Sequence, residues 1–213
     1  MRMTKLGHSC VRLERDGQQI VIDPGIWSGA DPVAGANALL ITHEHADHID
    51  GGVVHAAMQR DQALELWTTA PVASQFGEFG GRVHAVGDGD AFSAAGFDIR
   101  VYGRDHAVIH PDFPVVANIG FAVDGALFHP GDAFTIPGEP VENLLLPISA
   151  PWLKAAEVFD YARSVRPKMS YACHDEVLSA NGIALMGGLA AALLGEQGAG
   201  GYSRLAPGSS VEI

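Results

Sequence analysis

Short apolar runs separated by glycine and polar residues dominate the chain, and they predict β-strands. Residues 38–42 read Ala-Leu-Leu-Ile-Thr, a continuous apolar run of the kind found in strands that are buried on both faces. Asp124-Gly125, between two such runs, is typical of a hairpin turn. In chain order, strands are predicted over residues 3–6, 10–13, 19–22, 38–41, 64–68, 83–86, 97–102, 115–123, 126–129, 144–146, 169–173 and 210–213.

Apolar residues at helical spacing recur between these strands. They predict helices over about 47–59, in a short stretch after Pro71, over 154–164 and over 182–195. Strands and helices mix in both halves, and no obvious linker interrupts them. We therefore predict an α/β fold, with sheets inside and helices outside, formed by residues 1–213 as one domain.

Composition and charge narrow the class of protein. A formal net charge of −12 argues against unaided nucleic-acid binding, because phosphate contacts need clustered Lys and Arg. Cys10 and Cys173 are too few for a disulfide framework. The longest apolar stretch, 183–194, contains two glycines and is too short to cross a bilayer. We expect a cytoplasmic protein with a small-molecule substrate and without nucleic-acid or membrane partners; a homo-oligomer is compatible with the sequence.

One hexapeptide carries the strongest chemical signal, and it reads His43-Glu44-His45-Ala46-Asp47-His48. Imidazole and carboxylate are ligands that Zn²⁺ and similar metals prefer. The segment lies between a predicted strand and a predicted helix, so His43 and His45 should point the same way, with Asp47 and His48 in the first helical turn. A single structural zinc site usually closes with Cys ligands, which are scarce in this chain. We therefore predict a catalytic metal centre to which this segment offers two ligands for each of two ions.

Further candidate ligands follow apolar strands at their exit ends. Sheet geometry gathers such ends at one edge, where open α/β folds place their sites. We interpret His106 as the third His of the first metal, with His110 as the alternative. Asp132 would bridge the two metals. The residues that follow a predicted strand in this way are Asp23, His43, His106, Asp132 and His174.

Other residues are predicted to complete the second metal or to support the ligands. His174 would join Asp47 and His48 on the second metal. His8 would either line the site or cap the sheet. Asp23 is interpreted as a hydrogen-bond acceptor for a ligand imidazole, because a metal-bound His normally donates its other N–H.

The chain resembles the metallo-β-lactamase fold superfamily through the motif His-x-His-x-Asp-His at residues 43–48 and the later His106, Asp132 and His174. The opening Lys-Leu-Gly-His-Ser-Cys at residues 5–10 resembles the compact, ascorbate-6-phosphate-lactonase-like branch of metal-dependent hydrolases. The resemblance implies an αββα sandwich, two mixed sheets flanked by helices, with the metals at one end. It implies a first metal on His43, His45 and His106, a second on Asp47, His48 and His174, and Asp132 between them.

A dinuclear centre of this kind predicts a hydrolase. Two divalent ions, Zn²⁺ by preference or Mn²⁺, would share a hydroxide that attacks an ester, lactone, amide or phosphodiester. Asp47 and Asp132 would hold the ions and orient the hydroxide, and His8 or His110 would pass a proton to the leaving group. The alternatives are a mononuclear iron-dependent oxidoreductase on the same fold and a metal-binding protein without turnover.

Overall fold

The computed structural model describes residues 1–195 and 200–213 of the chain. Its helices are α1 (Gly51–Arg60), α2 (Ala70–Ser74), α3 (Ala155–Val165) and α4 (Ala180–Ala190). The strands of the N-terminal part are β1 (Arg2–Gly7), β2 (Cys10–Arg15), β3 (Gln18–Ile22), β4 (Ala38–Ile41), β5 (Glu65–Thr68) and β6 (Val83–Ala85). The later strands are β7 (Ala91–Ala94), β8 (Phe97–Tyr102), β9 (Gly120–Val123), β10 (Leu127–His129), β11 (Asn143–Pro147), β12 (Met169–Cys173), β13 (Gly201–Ser203) and β14 (Ser210–Glu212).

The strands form two seven-stranded sheets with the same pattern of pairing. The first has the order β14-β1-β2-β3-β4-β5-β6, and the second has the order β13-β12-β11-β10-β9-β8-β7. In the first sheet, pairing is antiparallel from β14 to β3 and parallel from β3 to β6. In the second sheet it is antiparallel from β7 to β10 and parallel from β10 to β13. Parallel neighbours need crossover connections, and α1 to α4 are parts of these crossovers.

Apolar side chains fill three layers, which explains why central strands such as β4 and β9 have continuous apolar runs. Along β3, Ile20 and Ile22 pack between the two sheets, whereas Val21 faces the helices on the outer side. The layer beneath α1 and α2 includes Val54 and Val72. The corresponding layer beneath α3 and α4 lies on the other sheet. The predicted αββα sandwich of two mixed sheets is therefore confirmed.

Several predicted element bounds differ from the observed ones. The helix predicted from residue 47 begins at Gly51, because the Asp50 side chain accepts the Val53 N–H and caps it. The strand predicted over 115–123 is confined to β9, and β7 and β13 were not predicted.

No helix among the described residues is long and apolar enough to cross a membrane. That residues 1–213 form one domain stays a prediction, as does the cytoplasmic location.

Candidate metal centre

The exit ends of five strands meet at one edge of the sandwich, and each is followed by a polar residue of the site. Asp23 directly follows β3, and His174 directly follows β12. The other three follow their strands within a few residues. The structure brings four of these side chains, all except that of Asp23, together with others in groups whose ligand atoms lie within 4.8 Å of one another. The residues of these groups are His8, His43, His45, Asp47, His48, His106, Asp132 and His174.

The imidazoles form two neighbouring donor groups. His43, His45 and His106 form the first group, with ring centroids 4.7–5.0 Å apart. The second group consists of Asp47, His48 and His174, with His8 alongside. The hexapeptide thus supplies donors to both groups, although Asp47 and His48 lie in a turn before α1 and not in its first turn.

Asp132 lies between the two groups. Its Oδ2 is 3.4 Å from His106 Nε2 and 3.0 Å from His174 Nε2, and its Oδ1 is 3.0 Å from His48 Nε2. Trp152 donates its indole N–H to Oδ2 at 3.0 Å, a contact that the sequence did not indicate. Although burial favours the protonated form, His48, His106 and His174 hold the pKa of Asp132 well below its usual range. The residue is therefore a carboxylate whose Oδ2 lies beside both donor groups and whose Oδ1 lies beside His48 of the second group.

Four imidazoles are oriented by hydrogen bonds at Nδ1, the ring nitrogen that faces away from the cluster. His48 Nδ1 donates to Asp23 Oδ2 at 2.6 Å. The Thr42 hydroxyl donates to the same carboxylate oxygen, so it accepts from His43 Nδ1 at 3.0 Å. In each case a proton occupies Nδ1, so Nε2, which is directed into the cluster, is the nitrogen that a metal would bind in place of a second proton. The remaining two are His106, which donates to the Ala107 carbonyl, and His174, which donates to the Ser149 carbonyl.

The inner atoms of the cluster fit a bound metal. The Nε2 atoms of these four imidazoles and Asp132 Oδ1 are buried without hydrogen-bond partners among the described residues. Unpartnered buried polar atoms are costly, so their convergence calls for a shared ligand. Burial lowers the pKa of His43 well below its usual value, which keeps its lone pair available at neutral pH. Imidazole nitrogen and carboxylate oxygen are donors that suit Zn²⁺ and Mn²⁺.

His8 has the opposite proton arrangement. Its Nδ1 accepts the Glu176 backbone N–H at 3.3 Å, so neutral His8 has its proton on Nε2. That Nε2 lies 3.2 Å from Asp47 Oδ2 and donates to it. Burial lowers the pKa of His8, which keeps the ring neutral. His129 shows the same pattern, since it accepts from the Gly131 N–H and donates to the Ser9 carbonyl.

His110 is not brought into the cluster. Its side chain is 59% exposed, and its Nδ1 lies 3.6 Å from the exposed carboxylate of Asp112. It belongs to none of the donor groups, whereas His106, the other candidate for the third His, is 2% exposed inside the first group. The turn at residues 110–113 follows an exposed segment, and this directs His110 away from the sheet edge.

A close approach between two loops holds the hexapeptide in place. The Ile26 N–H donates to the Ala46 carbonyl at 2.9 Å, and the neighbouring Gly25 packs against the backbone of Asp47. A Cβ on Gly25 would lie 1.9 Å from the Asp47 carbonyl oxygen, so only glycine fits there. Asp23 and His174 have positive φ angles of 52° and 55°, which places strained backbone on both sides of the cluster.

A buried ion network anchors the loop that carries His174. Lys5 is 2% exposed and donates to Asp175 Oδ1 at 3.1 Å and to the Ala172 carbonyl at 3.0 Å. Asp175, fully buried, also accepts from Arg204 at 2.6 Å. Because Lys5 belongs to β1 and Asp175 follows β12, the network joins the two sheets directly beneath the cluster.

Two mixed seven-stranded sheets between helices, with a His and Asp cluster at their shared edge, define a metallo-β-lactamase-type protein. The family model described as a β-lactamase superfamily domain matches residues 2–174, and the chain belongs to that family. The chain is 39% identical to Protein Rv0786c of Mycobacterium tuberculosis over 185 residues, which cover 84% of this chain and 86% of that protein.

Solved structures share the fold at low sequence identity. Igni18, a metallo hydrolase from Ignicoccus hospitalis, superposes with a TM-score of 0.75 at 20% identity, covering 99% of this chain and 97% of Igni18. The metallo-β-lactamase fold protein YhfI from Bacillus subtilis superposes with a TM-score of 0.72 at 17% identity, covering 99% and 98%. These likenesses establish the architecture on which the donor cluster is built.

Proposed function

We propose that this protein is a metal-dependent hydrolase with a dinuclear centre, acting on an ester, lactone, amide or phosphodiester of a small molecule. One observation carries the proposal: two donor groups lie side by side with the carboxylate of Asp132 between them, and five of their inner atoms have no hydrogen-bond partner among the described residues. These atoms are Asp132 Oδ1 and the Nε2 atoms of His43, His48, His106 and His174. Two divalent ions, preferably Zn²⁺ and alternatively Mn²⁺, supply a water of lowered pKa and an electrophile for the substrate oxygen when bound.

Some residues would bind the ions of this centre, and others orient the ligand side chains. His43, His45 and His106 would hold one ion, and the group of Asp47, His48 and His174 would hold the other. Asp132 would serve both, and the Trp152 indole N–H fixes the rotation of its carboxylate. Asp23 and Thr42 fix the ring orientation of His48 and His43, so that the Nε2 atoms stay directed inward.

The experiment that tests the proposal combines metal analysis with a substrate screen. We expect the Zn²⁺- or Mn²⁺-loaded protein to bind two ions per chain and to hydrolyse at least one generic ester, lactone, amide or phosphodiester. A His45→Ala variant should lose that activity, because it removes a ligand of the first group. A single iron with oxidation of substrate, or unchanged turnover in the variant, would contradict the proposal.

His8 is proposed as a positioning residue for Asp47 and not as a metal ligand. Because its Nδ1 accepts from the Glu176 N–H, its Nε2 carries the proton and has no lone pair for an ion. Donation to Asp47 Oδ2 fixes the rotation of that carboxylate beside His48 and His174. The same arrangement gives Nε2–H a fixed direction, which a proton-passing group at this position would also require.

Two substitutions separate donation from ligation. Glutamine places an N–H near the Nε2 position but is a poor metal ligand, whereas alanine removes both functions. We expect His8→Ala to bind the second ion more weakly and to lower kcat/KM by about 10- to 100-fold. We expect His8→Gln to retain most of the ion affinity and most of kcat/KM. Chelator competition measures the affinity, and thermal unfolding confirms that both variants fold. Equal losses in the two variants would exclude the donor role.

A further inference from the structure

Two adjoining cavities open beside the donor cluster. The larger has a volume of about 290 Å³ and the smaller of about 160 Å³. His45, His106 and Ile109 line both, so the two cavities adjoin at the first donor group. The apolar side chains of the larger cavity are Ile26, Trp27, Pro151, Trp152 and Val177. Those of the smaller cavity are Phe113, Pro114, Val115 and Val116.

Exposed apolar side chains concentrate at these cavities. Of nine large hydrophobic residues that are exposed on the described chain, six line one cavity or the other. Phe113 is 62% exposed and Val177 is 50% exposed, each at a different cavity. Large apolar residues exposed singly are ordinary, but a contiguous group around a metal cluster marks a surface that an apolar ligand covers.

No lysine or arginine side chain is found among the described residues of either cavity wall. The charged ones are Asp47 and Asp132 of the donor groups. Lys154, which follows the Trp152 loop, is 83% exposed and pairs with Glu157. A phosphorylated or carboxylated substrate would therefore find no counter-charge beyond the proposed ions, whereas a neutral apolar one would find matching walls.

We propose that the substrate is a neutral ester or lactone with an apolar group on each side of the scissile bond. This inference rests on the proposed hydrolase function. One group occupies each cavity, and Ile109 lies between them with the scissile carbonyl beside His45 and His106. Water adds to the carbonyl carbon, the bond from that carbon to the alkoxy oxygen breaks, and the water proton passes to the departing oxygen. An ester gives a carboxylic acid and an alcohol, a lactone gives a single hydroxy acid, and no oxidant or further reactant is needed.

Binding of simple acids tests the cavities without turnover. Two of the three tryptophans, Trp27 and Trp152, line the larger cavity, so intrinsic fluorescence reports on its occupancy. We expect the metal-loaded protein to bind octanoate about 100-fold more tightly than acetate, because each buried methylene adds to affinity while the carboxylate is the same. Equal affinities for octanoate and acetate would overturn the proposal.

Turnover tests the acyl side of the bond, because the p-nitrophenyl leaving group is the same in both esters. We expect kcat/KM for p-nitrophenyl octanoate to exceed that for p-nitrophenyl acetate by at least about tenfold, and bis(p-nitrophenyl) phosphate to be the poorest of the three. Phe113→Ser and Val177→Ser alter one cavity each, and the one that alters the acyl cavity should reduce the octanoate preference. Leu185→Ser is the matched control, because Leu185 is 64% exposed on α4 and lines neither cavity.

The outcomes separate this inference from the function on which it rests. Absence of hydrolysis for every substrate, together with tight octanoate binding, would refute the hydrolase and retain the apolar site. Hydrolysis that favours acetate or the phosphodiester would retain the hydrolase and refute the apolar substrate. An octanoate preference that neither cavity variant reduces would also refute it, because the preference would then arise elsewhere.

Discussion

Replacing Asp132 with alanine is expected to lower kcat/KM by about 1,000-fold or more and to release at least one of the proposed ions. The carboxylate is the shared element of the cluster, with Oδ2 near His106 and His174 and Oδ1 near His48. Its loss removes negative charge from between two sites for cations, and a loss of about 4 kcal/mol of transition-state stabilisation corresponds to that factor. Elemental analysis and steady-state kinetics on the same preparation measure the two effects together.

Glu44→Ala is the matched control for this substitution. Glu44 lies between His43 and His45 in the sequence, but its side chain is exposed and belongs to neither cavity nor any donor group. We expect this variant to keep its ions and its activity. If Asp132→Ala retained full metal content and turnover, the carboxylate would not be the bridge between the groups.

Asp175→Asn is expected to reduce the free energy of unfolding by about 3–5 kcal/mol. The substitution leaves Lys5, which is 2% exposed, with the Ala172 carbonyl but without its counter-ion. A buried charge that loses its partner costs about this amount, far more than an exposed pair. Urea denaturation measures the loss, and an unchanged slope of free energy against urea concentration would show that the variant still unfolds cooperatively.

Two further variants identify the origin of that loss. Lys5→Met combined with Asp175→Asn removes both buried charges, so we expect the pair to be less destabilised than the sum of the single variants. Asp160→Asn breaks an exposed pair with Arg163 on α3 and should cost less than about 1 kcal/mol. Strict additivity in the double variant would mean that the network contributes through packing alone.

Local sequence patterns predicted much of the fold and of the candidate site. Strands buried on both faces are short runs of mostly apolar residues, so β4 and β12 were predicted with their observed bounds. A polar residue directly after such a run stands out, and this indicated Asp23 and His174 before their positions were known. The meeting of the strand ends at one edge was expected, because open α/β sheets place their sites where such ends gather.

Features that depend on distant contacts could not be predicted in this way. The strands β7 and β13 are short, their sequences are rich in small residues, and they owe their extended form to the neighbouring strands β8 and β12. The bond from Trp152 to Asp132 and the tautomer of His8 depend on residues far away along the chain. Position 110 has the same side chain as position 106, and only the course of the intervening loop distinguishes them.

The pairing of β14 with β1 has a consequence for synthesis on the ribosome. Ser210 lies opposite Thr4 in that pairing, so one edge of the first sheet is completed by residues made about 200 positions later. At translation rates of about 5–20 residues per second, the β1 edge stays unpaired for on the order of 10–40 seconds before β14 is made. During that interval the backbone amides and carbonyls along β1 are open to another nascent chain, and a chaperone that shields extended segments would act there first.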